Sequence, residues 1–159
     1  MSLYYAELNR CQVSGARCQV PGERPSAHYW RRGRRQVMVK SYRDLKVWEK
    51  AMDLVVESYR ITKLLPRHEM FGLIAQIQRA AVSIPANIAE GHGREHLGDY
   101  LRHLSIARGS LMELETHFLI ITRLYISMDD VKCALDMARE VDRMLSGLTK
   151  RLRELPNAA

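Results

Sequence analysis

The sequence predicts an all-α fold, an antiparallel up-down-up-down four-helix bundle with an irregular N-terminal extension, and three observations predict it. Glycine and proline together account for only 14 of 159 residues, so helices meet few breakers. From Ser41 onward, apolar side chains recur at steps of three and four in four separate runs, the period of helices that bury one face. The runs are joined by short stretches, and short connections make successive helices antiparallel neighbours. A chain of this length suffices for one domain with a substantial core. Residues 41–156 are assigned to the bundle and residues 1–40 to the extension.

The first helix is expected to begin near Asp44 as N-cap, with Ser41 the alternative cap. Leu45, Trp48, Met52, Val55 and Tyr59 form its apolar stripe, widened by Val47, Ala51, Leu54 and Ile61, and it ends before Pro66. The second spans about Arg67 to Glu90 and buries Met70, Ile74, Ile77, Ala81, Ile84 and Ile88, with Gly91 and Gly93 supplying the C-terminal cap and turn. The third, about Glu95 to Tyr125, has the clearest pattern: Tyr100, Leu104, Ala107, Leu111, Leu114, Phe118, Ile121 and Tyr125 alternate steps of four and three, a coiled-coil-like seam. Ser127 and Asp130 resemble a capping box. The fourth helix carries Val131, Leu135, Ala138, Val141, Leu145, Leu148, Leu152 and Leu155 and stops at Pro156.

The formal net charge is +7, and its location matters more than its size. Residues 1–40 hold 8 Lys or Arg against 2 Asp or Glu, whereas residues 41–159 hold 17 against 16, so the basicity belongs to the extension. There Arg31, Arg32, Arg34 and Arg35 flank Gly33 beside Tyr29 and Trp30, a set able to contact phosphates while the aromatics stack on bases. The extension shows no apolar period and is expected to be disordered, with Met38 an alternative start of the chain. The three cysteines, Cys11, Cys18 and Cys133, are too few and too irregular for a disulfide framework or a zinc site and are expected to be free thiols. Apolar stretches such as Phe118–Ile121 fall far short of the roughly 18 residues of a membrane span, and residues 1–30 lack the apolar core of a signal peptide. A cytoplasmic protein without a membrane partner is expected.

On the second helix a polar stripe runs beside the apolar one: Gln76, Arg79, Ser83, Asn87, Glu90 and Arg94 recur at steps of three and four. The third helix offers Arg102, Ser105, Gly109, Glu113 and Thr116, where Ser105 and Gly109 would let another backbone approach closely. Pro85 removes a backbone donor in the middle of the stripe and crowds the Ala81 carbonyl, so a bend is expected, with a nearby hydroxyl or amide serving the freed carbonyl. Arg79 or Arg94 is expected to pair with Glu90 or Glu113 in a network spanning helices or subunits. The plainer alternative is a solvated Glu90–Arg94 pair worth about 0.3 kcal/mol.

Three segments, "DLKVWEKAMDLV", "PRHEMFGLIAQIQRAAVSIPANIAEGHGR" and "LSIARGSLMELETHF", resemble the 23S ribosomal RNA intervening-sequence protein family over about Ser41 to Leu152. The resemblance implies a four-helix bundle that assembles into a ring-like homo-oligomer, a pentamer. The segments are more distantly similar to the accessory protein of diversity-generating retroelements, a basic pentamer that binds a reverse transcriptase and nucleic acid. The signature residues fall on Arg79, Ser83, Pro85, Asn87, Glu90, Gly91, Arg94, Gly109, Ser110 and Glu113; of these Arg79, Ser83, Asn87, Glu90, Arg94, Gly109, Ser110 and Glu113 are expected to form an interface, and Pro85 the kink.

Catalysis would need a constellation that the sequence lacks. His92, His96, Asp99 and His103 share one helical face on paper, but Gly91 and Gly93 interrupt the helix, and repeated Glu-x-x-His pairs of bundle metal sites are missing. These histidines are expected to be solvated. "GHGR" lacks the length and the Lys-Ser/Thr ending of a phosphate loop, and neither Ser83 nor Ser110 stands in a nucleophile elbow with His117. The reading is therefore a non-enzymatic oligomeric bundle without a cofactor or small-molecule substrate, associated with ribosomal RNA or another nucleic-acid complex. The alternative is an adaptor whose ring presents a surface to a polymerase-like partner without direct RNA contact.

Overall fold

A computed structural model of the chain describes residues 40–154. The basic cluster Arg31, Arg32, Arg34 and Arg35, the start at Met38, and the last turn at Leu155 and Pro156 lie outside the described residues. Four helices follow in order: α1 (Lys46–Thr62), α2 (Leu73–His92), α3 (Leu97–Leu124) and α4 (Met128–Arg153). Short 3-10 helices at Tyr42–Asp44 and Arg67–Phe71 precede α1 and α2.

Each long helix packs on the next, and α1 against α4 closes the bundle; α2 and α3 share the most extensive contact. Directions alternate. Arg79 of α2 approaches Glu113 of α3 while Asn87 approaches His103, so residue numbers run in opposite senses. Lys50–Glu140 and Arg60 with the Asp130 carbonyl show the same for α1 and α4. The interior is apolar, with Phe118 the largest fully buried side chain among Leu54, Ile61, Ile84, Leu111 and Leu145. Burial of each large side chain of this kind stabilises the fold by about 1.5–3 kcal/mol. α3 buries its expected seam from Leu104 to Ile121, while Tyr125 just beyond the helix is exposed.

α1 departs from expectation at its start and on its face. Ser41 caps the 3-10 turn, its hydroxyl accepting from the Arg43 amide and its own amide donating to Asp44. Asp44 is thus the reciprocal acid of that cap and not the N-cap of α1, which begins after Leu45 without a side-chain cap. The buried face runs through Val47, Ala51, Leu54, Ser58 and Ile61, and Met52 and Tyr59 stand about 40% exposed. The rotation follows Ser58, whose hydroxyl donates to the Leu54 carbonyl at 2.6 Å and so enters the core already satisfied.

α2 begins later than expected because Glu69 interrupts the helix. Its carboxylate accepts from the Leu73 amide at 3.0 Å and from the Tyr125 hydroxyl at 2.5 Å, capping α2 and tying the α1–α2 connection to the end of α3. A Cβ on Gly72 would lie 2.5 Å from that carboxylate, so a side chain there would push the Glu69 carboxylate away from the Leu73 amide. Met70, expected in the buried stripe, is exposed in the 3-10 turn. At the other end of α2, neither glycine supplies a left-handed cap: Gly91 is inside the helix and buried, and Gly93 closes it at φ −80°, ψ −4°. The α4 cap forms as the sequence suggests, with the Asp130 carboxylate accepting from the Ser127 amide at 3.0 Å and its hydroxyl at 2.6 Å.

The Tyr125 hydroxyl, and after it the Leu73 amide, holds the Glu69 carboxyl below its ordinary value. A carboxylate with a depressed folded pKa stabilises the fold above its unfolded value, and that contribution is lost as pH falls through the folded value. Tyr125→Phe is therefore expected to lower the urea midpoint at about pH 7 and to lower it less under acid conditions. A midpoint difference that is constant with pH counts against the Glu69 link.

Candidate functional site

The polar groups of the bundle meet along α2 and α3. On α3, Leu104, Leu111 and Phe118 point into the core, so the residues just before them are rotated by about 100° toward α2. These are His103, Ser110 and His117, spaced two helical turns apart. Ser83 and Asn87 of α2 face them. The hydroxyls of Ser83 and Ser110 lie 2.8 Å apart. The Asn87 amide donates to the Ser83 carbonyl at 2.8 Å and to its hydroxyl at 3.1 Å, while its oxygen lies 3.2 Å from His103 Nδ1. Four side chains thus form one part-buried chain of hydrogen bonds, a setting in which each bond is individually costly to break.

A carboxylate stands at each end of this chain. Glu90 pairs with Arg94 and lies 3.7 Å from His103 Nε2. Glu113 lies 3.8 Å from Arg79 and 3.5 Å from His117 Nε2. Arg79, which also donates to Gln76, is 72% exposed and Glu113 43%. Pairs so exposed contribute at most about 1 kcal/mol. The Arg79–Glu113 pair spans two helices, whereas Glu90–Arg94 is the local pair of the plainer alternative. His103 and His117 are only 15% and 16% exposed, so the expectation of solvated histidines fails for His103. Both ring nitrogens of His117 are buried without an aligned hydrogen-bond partner.

Gly91 sets the spacing of the seam near its Glu90 end. A Cβ there would meet His103 Cβ and the Tyr100 ring at 2.8 Å, so the absent side chain lets α3 rest against α2. Tyr100 fills that space and packs edge-on to His92; burial pushes its phenol up to about 12, so it stays protonated at neutral pH. Pro85 is buried and α2 continues through it to His92. The side-chain amide of Asn87 serves the Ser83 carbonyl in that turn, not the Ala81 carbonyl for which a partner was expected.

The strip expected on α3 to oppose α2 takes a different position. Arg102, Ser105, Gly109, Glu113 and Thr116 are all exposed, and of these Glu113 alone reaches a seam residue of α2. Among the described residues no atom of another segment lies within 4 Å of where a Gly109 Cβ would stand, so none of them uses the space it leaves. From sequence, His103 is weighed only as a metal candidate and His117 only as a base for a serine, and neither is placed in the seam, although the repeat His103–Ser110–His117, one residue ahead of Leu104–Leu111–Phe118, is the available signal. Among the described residues no three His, Cys, Asp or Glu side chains converge as a metal site requires. His96 is exposed before α3 and His103 is turned to Asn87.

A single antiparallel bundle that draws its polar side chains into one interhelical seam is a small helical-bundle protein, with the seam as its most distinctive feature. Residues 43–147 match the family described as 23S rRNA-intervening sequence protein, and the chain belongs to that family. The fold is shared with a solved structure from Bacteroides thetaiotaomicron VPI-5482, described as a protein with unknown function from the S23 ribosomal protein family. The two are 25% identical with a TM-score of 0.60, over 65% of this chain and 98% of that one. No curated protein matches the chain.

Asn87→Ala removes bonds to Ser83 and His103 and is expected to cost about 1–3 kcal/mol in urea unfolding. His117→Leu replaces buried nitrogens that make no aligned hydrogen bond, the Glu113 carboxylate lying 3.5 Å from Nε2, with an apolar side chain of similar reach, and is expected to leave stability unchanged or raise it by about 1 kcal/mol. A loss on His117→Leu as large as that on Asn87→Ala would show that the His117–Glu113 contact is a stabilising one.

Proposed function

We propose that the protein is a non-enzymatic, oligomeric scaffold of the cytoplasm that associates with ribosomal RNA or an RNA–protein complex, and that subunits meet through the outer face of α2 and α3. One observation carries the interface. Val82 and Ile106 stand nearly half exposed beside the small residues Ala86 and Gly109, and the charged ends of the seam, Arg79, Glu90, Arg94 and Glu113, border them. Apolar centres with polar rims are how subunit interfaces are built. A glycine in the middle of an exposed helix costs about 1 kcal/mol relative to alanine, and among the described residues nothing packs into the space Gly109 leaves. Gly147 on α4 is equally open but sits among Arg143, Lys150 and Arg151, which suits solvent.

The number of subunits in this reading is five, as the resemblance implies, and the RNA association rests on the family to which the chain belongs. The seam supports a structural role over a chemical one, because the hydroxyls of Ser83 and Ser110 bond each other and Asn87 and neither bonds a histidine. Among the described residues no helix is long and apolar enough to cross a membrane.

Light scattering is expected to give a mass several times the 18.4 kDa of one chain, fivefold for the ring. Ile106→Glu should reduce it to one chain while helix content by circular dichroism is kept. A wild-type mass of one chain at micromolar concentration refutes the interface. Affinity recovery from cell lysate should bring down ribosomal RNA, lost on nuclease treatment. Recovery of proteins alone, unchanged by nuclease, would favour the adaptor.

A further inference from the structure

Where α3 begins and α4 ends, a cleft of about 520 Å³ opens between the two helices. Its chemistry differs from that of the seam. Arg108, Lys150 and Arg153 bring three cations to it against the single carboxylate of Glu154, and Ser105, Ser146 and Thr149 add three hydroxyls. Leu104 and Leu145 at its floor belong to the core, each 1% exposed, so half-buried Leu101 supplies the accessible apolar part of the wall. Helical spacing produces this set: residues 146, 149, 150 and 153 share one face of α4, as 101, 105 and 108 share one face of α3.

The electrostatics favour an anion. Arg108 donates to Asp142 at 2.8 Å through Nε and at 3.4 Å through one terminal nitrogen, which holds the guanidinium in place and leaves its other terminal nitrogen unused. Among the described residues no carboxylate oxygen lies within 4 Å of Lys150 or Arg153. The positive end of the α3 dipole lies at the same end of the bundle. The opposing carbonyl end of α4 is offset by Lys150, Arg151 and Arg153 in its last turn.

A small inorganic anion would use the cations and leave the apolar wall bare. A nucleotide uses the whole cleft: phosphate on the cations, ribose against the hydroxyls and the base face on Leu101. We propose that the cleft binds a nucleotidyl phosphate, carried by a single-stranded RNA segment or by a free mononucleotide, with Lys150 and Arg153 the principal phosphate contacts and Arg108 the fixed one. The inference rests on the RNA association proposed above and gives it a location. The cleft lies on the side of α3 turned away from His103, Ser110 and His117, so assembly through the outer face of α2 and α3 leaves it open.

The test uses the full chain, a labelled single-stranded RNA of about ten nucleotides, and uridine monophosphate. The double variant Lys150→Gln/Arg153→Gln changes two exposed side chains. The control, Arg139→Gln, removes an exposed cation of α4 that pairs with Asp136 outside the cleft. The double variant is expected to bind the RNA at least about tenfold more weakly at low salt. Its slope of log K against log salt should fall by about 1.4, from a contribution near 0.7 for each phosphate contact on a single strand, while Arg139→Gln keeps the wild-type values. Uridine monophosphate that binds the wild type and not the double variant identifies a free nucleotide as sufficient. RNA weakened in the double variant with no mononucleotide binding assigns the site to a strand. Equal affinities of the double variant and Arg139→Gln for both probes overturn the cleft, even where ribosomal RNA is still recovered from lysate. Conversely, mononucleotide binding lost in the double variant, with no RNA recovered from lysate, sustains the cleft and refutes the ribosomal RNA association.

Discussion

The close contact of α2 with α3 is the constraint on which the rest of the structure depends. It is possible because Gly91 has no side chain, so that Tyr100 and His103 occupy the volume a Cβ would need, and because Ala80, Ala81 and Ala107 are the buried residues nearby. Once α3 rests there, its register against α2 follows. Ser110 lies opposite Ser83, His103 opposite Asn87, and Glu113 within reach of Arg79. A slip of one turn, about 5.4 Å, would break all of these contacts together.

α2 accepts poor helix residues to make that contact. A proline inside a helix costs about 3 kcal/mol and a glycine about 1, and α2 carries Pro85 and Gly91 within two turns. Ile77, Ile84 and Ile88 are fully buried along the same helix, each contributing about 1.5–3 kcal/mol, so packing outweighs propensity. The hydrogen bonds of Asn87 to Ser83 add to this where the proline has removed a donor.

Charge is distributed on a different principle. The apolar interior and the part-buried hydrogen bonds hold the bundle, whereas the ion pairs at the ends of the seam are largely solvated and add little to one chain. Val82 and Ile106 stand exposed on α2 and α3, the helices that also carry Arg79 and Glu113, and the cations of Lys150 and Arg153 line the cleft on the other side of α3. One helix therefore separates two surfaces of different chemistry, the first carrying exposed apolar side chains and the second lined by cations.

The sequence by itself determined the helix count, the antiparallel order, the core face of α3 and α4, and the Ser127–Asp130 cap, because each depends on a local period or a contact three residues away. It also marked Arg79, Ser83, Asn87 and Glu90 as one polar stripe on α2 and Glu113 as part of a separate strip on α3, though not how they meet. Tertiary structure decided the rest. On α3 the exposed set Arg102, Gly109, Glu113 and the seam set His103, Ser110, His117 both have helical periods, and only docking against α2 selects which one is covered. The face of α1 turned toward Ser58 because its hydroxyl found a local carbonyl. α2 started at Leu73 because Glu69, held by Tyr125 from the far end of α3, captured its amide. Period is a property of one helix, whereas rotation, register and capping by distant side chains are properties of a packed pair.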